Sequence, residues 1–170
     1  DTASVSMGSL VMNGSTMEAV GNTASVVVAG AVSMDTSYVM VQGEDASVSV
    51  GSLSMVDESS MDVNGTTASL VSAGPVSLYV ATIWVSGHSA SVSVGSLSVV
   101  NGGYVDVSGE TASLVSAGPV SVDNAVVGVY GRDASVSVAS DLFVMNGGGV
   151  SDGGDTASQF VGGEMVMDGG

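Results

Sequence analysis

The chain of 170 residues lacks cysteine and lysine, and Arg132 and His88 are its only basic side chains. The absence of cysteine excludes a disulfide framework and thiolate chemistry. Seventeen acidic residues leave a net charge of −16. Nucleic acids and anionic membrane surfaces are bound through Lys and Arg, so we expect neither as a partner.

Long apolar runs are also missing, since the longest is about Val26 to Val32, far short of the roughly 18 residues of a membrane span. Helix formers such as Glu, Lys, Arg and Gln are scarce, and no 3.6-residue periodicity is visible. Hydrophobic residues nevertheless make up 45% of the chain, so the acidic composition does not indicate disorder. These features predict a folded, non-helical protein without a membrane span.

The sequence contains no combination of residues that is typical of a catalytic site. The sequence has no Cys–His pair, no cluster of metal-ligating histidines and no phosphate-binding loop, and its many serines share one histidine. The β-helical polysaccharide lyases need Lys or Arg in a cleft, which this composition does not supply. We predict that the protein is not an enzyme and has no cofactor, with Ca²⁺ as the one ion to consider.

What the chain does contain is a repeat. The dipeptide Ala-Ser recurs at spacings of 21, 22, 22, 22, 22, 22 and 23 residues. Its alanines are Ala3, Ala24, Ala46, Ala68, Ala90, Ala112, Ala134 and Ala157. A steady period in this range is typical of solenoids. It divides one domain, 1–170, into coils 1–21, 22–43, 44–65, 66–87, 88–109, 110–131, 132–154 and 155–170.

Each of the first seven coils ends in glycine, which predicts a corner that needs either positive φ or a close backbone approach. These residues are Gly21, Gly43, Gly65, Gly87, Gly109, Gly131 and Gly154. Between corners the apolar residues alternate with polar ones, as in Ala46, Val48 and Val50, and this period of two indicates strands. We expect three short strands per coil, represented by the Ala-Ser segment, 53–56 and 61–64.

Stacked coils with this pattern predict an all-β, right-handed parallel β-helix, a β-solenoid of about eight coils. An antiparallel meander of hairpins is the rival fold, but its Asn-Gly turn signals occur at different phases. A second corner of small residues, as at Gly51 and Ala73, falls five residues after each Ala-Ser pair begins. After this second corner, odd and even coils differ by one residue, as in Leu53-Ser54 against Pro75-Val76-Ser77. The structural unit is therefore a 44-residue pair of coils, and the shift would flip the facing of that strand unless a β-bulge compensates.

Hydroxyl residues alternate with the inward alanines and predict one outer face. We call it the Thr/Ser face: Thr2, Ser4, Thr23, Ser25, Ser47, Thr67, Ser69, Ser89, Ser91, Thr111, Ser113, Ser135, Thr156 and Ser158. It resembles the Thr-x-Thr ranks of solenoid ice-binding proteins, which implies an ice-binding function. Asp45 and Asp133 interrupt the array, and a solvated face of stabilising hydroxyl ladders is the alternative.

Two further sets could carry binding. Asp35, Asp57 and Asp123 fall near one turn and predict either a Ca²⁺ site or an acidic solubilising face. Tyr38, Met40, Trp84, Tyr104 and Tyr130 are expected to face outward from the third strand. Exposed aromatics there can stack on carbohydrate or on a neighbouring fibre, unless loops cover them.

The first residue of several coils is charged, so Arg132 is expected to pair with Glu110 and Asp155 on adjacent coils. Asn13 and Asn64 lie in glycosylation sequons, which matter only in a eukaryotic secreted setting.

The segments ASVSV, GSLSV and VDVSG resemble the β-solenoid regions of filamentous haemagglutinin-like and autotransporter-type surface adhesins along the whole chain. The resemblance implies an extracellular or cell-surface fibre with structural or adhesive work. Joining the last residue to the first reproduces DGGDTAS, a string also found at 152–158. No polar cap is evident at either end, so we expect a unit of a longer fibre that continues covalently or stacks head to tail with itself.

Overall fold

The computed structural model describes residues 1–168, which form nineteen strands and no helix. The strands are β1 (Thr2–Met7), β2 (Leu10–Asn13), β3 (Thr16–Val20), β4 (Thr23–Asp35), β5 (Tyr38–Gln42), β6 (Asp45–Val56), β7 (Ser60–Asn64), β8 (Thr67–Tyr79), β9 (Thr82–Ser86), β10 (Ser89–Val100), β11 (Tyr104–Ser108), β12 (Thr111–Ser116), β13 (Val120–Asp123), β14 (Val126–Tyr130), β15 (Asp133–Val138), β16 (Leu142–Met145), β17 (Gly149–Gly153), β18 (Ser158–Val161) and β19 (Met165–Asp168).

All strand pairs are parallel and join equivalent segments of successive coils. Ala24 pairs with Ala46 and Ala46 with Ala68, 22 residues apart each time. The strands form a twelve-stranded sheet and a seven-stranded sheet. The prediction of an all-β parallel solenoid of about eight turns is confirmed, and the rival antiparallel meander is excluded.

The coils have two sheets rather than three independent strand ladders. In coils two to five the first two predicted strands run together as β4, β6, β8 and β10, so no break separates them at the second corner. In the other coils they separate, as β1 and β2 do. The third strand of each of the first seven coils builds the seven-stranded sheet, which consists of β3, β5, β7, β9, β11, β14 and β17.

Of the two alternatives, a flipped face or a bulge, the structure has the bulge, and it lies at that second corner. Val50 pairs with Ser72, but Leu53 pairs with Val76, so β8 contains one extra residue. Ser77 consequently falls opposite both Ser54 and Ser98. The odd–even shift is therefore absorbed, and the serines stay on one face. Pro75 lies inside β8 beside this shift, not at the strand's first residue as its type suggests, and its missing N–H falls where the ladder is already interrupted.

The core is the narrow space between the two sheets. Inward Val, Leu, Met, Ile and Ala residues fill it, and those of the interior coils are almost completely buried. The expected alanine ladder is buried from Ala24 to Ala134 and partly buried at Ala3. Ala157 is exposed, contrary to the prediction, because it precedes β18, whose pairing with β15 begins only at Ser158.

Close backbone approach explains the glycine at each coil end. A Cβ on Gly87 would lie 1.9 Å from the carbonyl oxygen of Gly65, and one on Gly109 would lie 1.9 Å from that of Gly87. None of the described coil-end glycines has φ in the left-handed region. Of the two reasons that the sequence allowed, contact between stacked corners is the correct one.

Candidate functional site

The Thr/Ser face lies on the outer side of the twelve-stranded sheet, as the alternation predicts. Its columns are in register, with Thr2 opposite Thr23 and Ser4 opposite Ser25. Asp45 and Asp133 stand in the threonine column, each exposed. Thr156 lies outside a strand, and its hydroxyl donates to the Asp133 carboxylate. The face is therefore a regular hydroxyl array with two carboxylates and an irregular last coil.

A third outer column, which the sequence reasoning missed, runs beside these two. It reads Ser6, Val27, Ser49, Val71, Ser93, Val115, Ser137 and Phe160. Val27, Val71 and Val115 are all exposed. The signal was present as the odd–even alternation of the first strand, ASVSV against ASLVS. The outer surface is thus amphipathic with a period of two coils.

The outer side of the seven-stranded sheet carries the residues of the predicted aromatic face. Met40 pairs with Asp62, Asp62 with Trp84, and Trp84 with Asp106, which places all four in one column. Trp84 is 45% exposed. Tyr38, Met40 and Tyr104 are half-buried, and Tyr130 is exposed. No described loop hides Trp84, so this face is open to solvent.

Two tyrosines contact carboxylates on this face. The hydroxyl of Tyr104 donates a hydrogen bond of 2.9 Å to Oδ2 of Asp106. Burial and the neighbouring Asp106 raise the pKa of Tyr104 to about 12. Burial also raises the pKa of Asp62, while a hydrogen bond with Tyr38 opposes that rise. Tyr104 thus fixes Asp106 on one side of Trp84, and Tyr38 lies close to Asp62 on the other side.

Tyr130 and Gly128 form a paired feature that the sequence did not reveal. A Cβ on Gly128 would lie 2.4 Å from Cε2 of Tyr130, so the phenol ring covers the glycine. The Tyr130 hydroxyl lies 2.8 Å from the hydroxyl of Ser151 on the next coil. The ring thus occupies the column position that Gly128 leaves open.

The charged residues that begin several coils form a column, in which Arg132 contacts Glu110 on the preceding coil but not Asp155 on the following one. Glu110 pairs with Arg132 and also lies 3.0 Å from Nδ1 of His88. Within residues 1–168 the Arg132–Glu110 contact is the ion pair, the His88–Glu110 contact becomes one only when His88 is protonated, and Asp155 takes part in neither. His88 and Arg132 are largely exposed and Glu110 is partly buried, so the cluster is a surface bridge across three coils.

The three carboxylates of the proposed calcium site do not converge. Asp35 ends β4 and Asp123 ends β13, four coils apart along one column. Asp57 instead lies in the following turn with φ of 48°, as does Asn101 with φ of 52°. Each of the two accepts a hydrogen bond from an asparagine on a neighbouring coil, Asp35 from Asn13 and Asp123 from Asn146. Across residues 1–168, no group of three or more acidic, His or Cys side chains has the geometry to hold a metal ion.

A shallow cleft of about 250 Å³ lies along the same turn in the first three coils. Its lining includes Ser37, whose hydroxyl donates 2.7 Å to the Asp35 carbonyl oxygen, and Glu58. In the next coil the Ser59 hydroxyl donates 2.6 Å to Val56 O. These buried hydroxyls close the turn, so they serve its structure.

The chain matches no protein-family model, no curated protein and no solved structure. In the part of the chain that the structure describes, no helix could cross a membrane.

Proposed function

We propose that the chain is a segment of an extracellular or cell-surface β-solenoid filament with structural or adhesive work. Its coils continue either within a longer polypeptide or by head-to-tail stacking of copies. The observation that carries this proposal is the open, apolar edge of the first described coil.

The first coil has the residue types of an interior coil. Its inward side chains Val5, Met7 and Leu10 are only partly buried. Their counterparts Val26, Val28 and Val32 in the next coil are at most 2% exposed. The free edges of β1, β2 and β3 also present backbone N–H and C=O groups without strand partners. One further coil would bury these side chains and complete the backbone hydrogen bonds.

The other end is less uniform. Met165 and Met167 of β19 are 43% and 66% exposed and would also be covered by a further coil. However, Gln159 stands opposite the buried Val136, and Asp152 stands opposite the buried Val129. Inward polar residues are a device that blunts strand edges, so the expectation that neither end carries a polar cap is incomplete. The DGGDTAS seam includes residues 169 and 170, which lie outside the described part.

If copies stack in the register of the interior coils, Ser158 faces Ser4, Gln159 faces Val5 and Met165 faces Leu10. Such a stack adds about 4.8 Å per coil, so eight coils repeat at roughly 35–40 Å. Electron microscopy of the native material should show filaments with a 4.8 Å meridional layer line. Native material that consists of isolated particles would refute the fibre.

A pair of variants separates stacking from covalent continuation. Val5→Asp puts a charge on the inward side of β1, whereas Ser6→Asp puts the same charge on its outward side. If copies of the chain stack, concentrated protein forms filaments that Val5→Asp abolishes and Ser6→Asp leaves intact. Both variants should retain the parent's far-ultraviolet circular dichroism. A parent chain that stays monomeric at millimolar concentration assigns the continuation to the polypeptide itself.

Ice binding is the second candidate, supported by the in-register hydroxyl columns of the Thr/Ser face. The assay is thermal hysteresis of the purified chain. Activity that Thr111→Lys removes, with Thr82→Lys on the other sheet as control, would support it. The absence of hysteresis in the parent would reject it.

A further inference from the structure

The central outer column of the seven-stranded sheet has a pattern with a period of two coils. It reads Glu18, Met40, Asp62, Trp84, Asp106, Gly128 and Ser151 in register. Because the Tyr130 ring covers Gly128, carboxylates on coils one, three and five alternate with apolar or aromatic groups on coils two, four and six, and Ser151 on coil seven ends the pattern. Like groups therefore recur at about 9.6 Å, twice the strand spacing.

No basic side chain of the described residues neutralises these carboxylates. The chain has no lysine, and its one arginine pairs with Glu110 at the corner. Asp62 and Asp106 flank the indole of Trp84 one strand away on each side. Tyr104 engages only Oδ2 of Asp106, so the other oxygen remains able to accept hydrogen bonds.

This combination favours a cationic ligand. Aromatic faces attract cations, and ammonium groups bind carboxylates through charge-assisted hydrogen bonds. The net charge of −16 disfavours any polyanion. The open, flat column also differs from the concave pockets that enclose small molecules, and it suits a linear polymer lying along the solenoid axis.

A peptide is a poorer fit than a sugar chain. Extended peptides bind by adding to a free sheet edge, but β7, β9 and β11 are paired on both sides. Flat sugar rings can stack on exposed indole and phenol rings while their hydroxyl and amino groups reach the carboxylates.

We infer that the face formed by Asp62, Trp84, Asp106 and the Tyr130 ring binds a linear cationic glycan, a chain of amino sugars with free amines. The inference rests on the adhesive part of the proposed function, to which it assigns a class of ligand, and it does not depend on the filament. Binding by the isolated chain does not require filaments, so a failure here leaves the fibre proposal standing, and the reverse also holds.

Trp84 is the only tryptophan, so its fluorescence reports directly on this face. The probe is a β-linked glucosamine hexamer, compared with the N-acetylglucosamine hexamer and with hexalysine. We expect the glucosamine hexamer to shift or quench the emission saturably, with affinity that falls as salt rises. The neutral hexamer and hexalysine should bind at least about tenfold more weakly.

Variants locate the effect. Asp62→Asn/Asp106→Asn should weaken glucosamine-hexamer binding at least about tenfold, and Trp84→Ala should do the same by calorimetry. The matched control Asp45→Asn/Asp133→Asn removes two charges from the other sheet's outer face and should change affinity less than about twofold. Circular dichroism melts check that every variant folds.

Four outcomes would overturn the inference. They are the absence of saturable binding at millimolar hexamer, equal binding of the neutral hexamer, equal or tighter binding of hexalysine, and an equal loss of affinity in the control variant. Equal neutral binding would make the face a general sugar platform, and tighter hexalysine binding would make it a site for cationic peptides.

Discussion

Replacing Gly87 with alanine tests the packing of stacked corners that underlies the whole solenoid. The added Cβ would lie 1.9 Å from the carbonyl oxygen of Gly65 and 3.2 Å from that of Thr66. Both contacts are with backbone atoms, so no side chain can rotate away. The corner itself must move by more than about 1 Å to restore a normal contact distance.

That movement acts on two backbone hydrogen bonds. Gly87 N donates 3.0 Å to Ser108 O, and Gly65 N donates 3.0 Å to Ser86 O. Each group left unsatisfied costs about 1–3 kcal/mol. Together with the strain that remains, we expect Gly87→Ala to lower the free energy of unfolding by about 3–5 kcal/mol.

The matched control is Gly8→Ala. A Cβ there would meet nothing within 4 Å, and φ is not in the left-handed region, so the change should stay within about 1 kcal/mol of the parent. Urea unfolding measures both variants. Because solenoids can unfold in parts, amide hydrogen exchange at Gly65 and Gly87 should also accelerate in Gly87→Ala. A loss below about 1 kcal/mol with unchanged exchange would refute the steric explanation of the glycine column.

Three other predictions follow from particular side chains. Val80 has φ of 50°, which β-branched residues avoid, so Val80→Asn should stabilise by about 1 kcal/mol in thermal melts, and a destabilised variant would contradict this. Val107→Ala should cost about 1–3 kcal/mol by opening a cavity and Ala90→Leu a similar amount by overpacking, whereas parental melting of both would show that the inward assignments are wrong. Because the pKa of Tyr104 is raised to about 12, its contribution to stability is complete below pH 10 and is lost as the pH rises towards 12. Absorbance titration should show Tyr104 among the late tyrosines, together with Tyr38, whose pKa is raised by burial and by Asp62. Asp106→Asn should bring the Tyr104 titration to lower pH.

The 44-residue repeat spaces out the acidic side chains on the outer surface of the seven-stranded sheet. On the seven-stranded sheet it separates Asp62 from Asp106 by Trp84, so stacked carboxylates lie about 9.6 Å apart instead of about 4.8 Å. That separation is close to the distance over which salt screens charge. Alternation thus reduces the repulsion that an uninterrupted acidic column would impose on an acidic solenoid.

The sequence by itself determined the parallel solenoid, its coil length and the facing of most residues. It could do so because apolar residues alternate with a period of two within strands and recur every 22 residues between coils. Only parallel stacking of the coils then buries Ala46, Val48, Val50 and their equivalents in the other coils together. For the strand after the second corner the sequence left two outcomes, a flipped face or a bulge, and the structure has the bulge beside Pro75 that keeps Ser77 outward.

Only the tertiary structure decided what depends on contacts across coils. The coil-end glycines are required by neighbouring carbonyl oxygens, a distance that no single coil specifies. Tyr130 lies over Gly128, and Glu110 contacts both Arg132 and His88. Asp35 lies four coils from Asp123. Side-chain direction and corner geometry set all of these distances. Ala157 is exposed for a similar reason: periodicity assigns its phase, but burial needs a paired strand and a neighbouring coil to cover it.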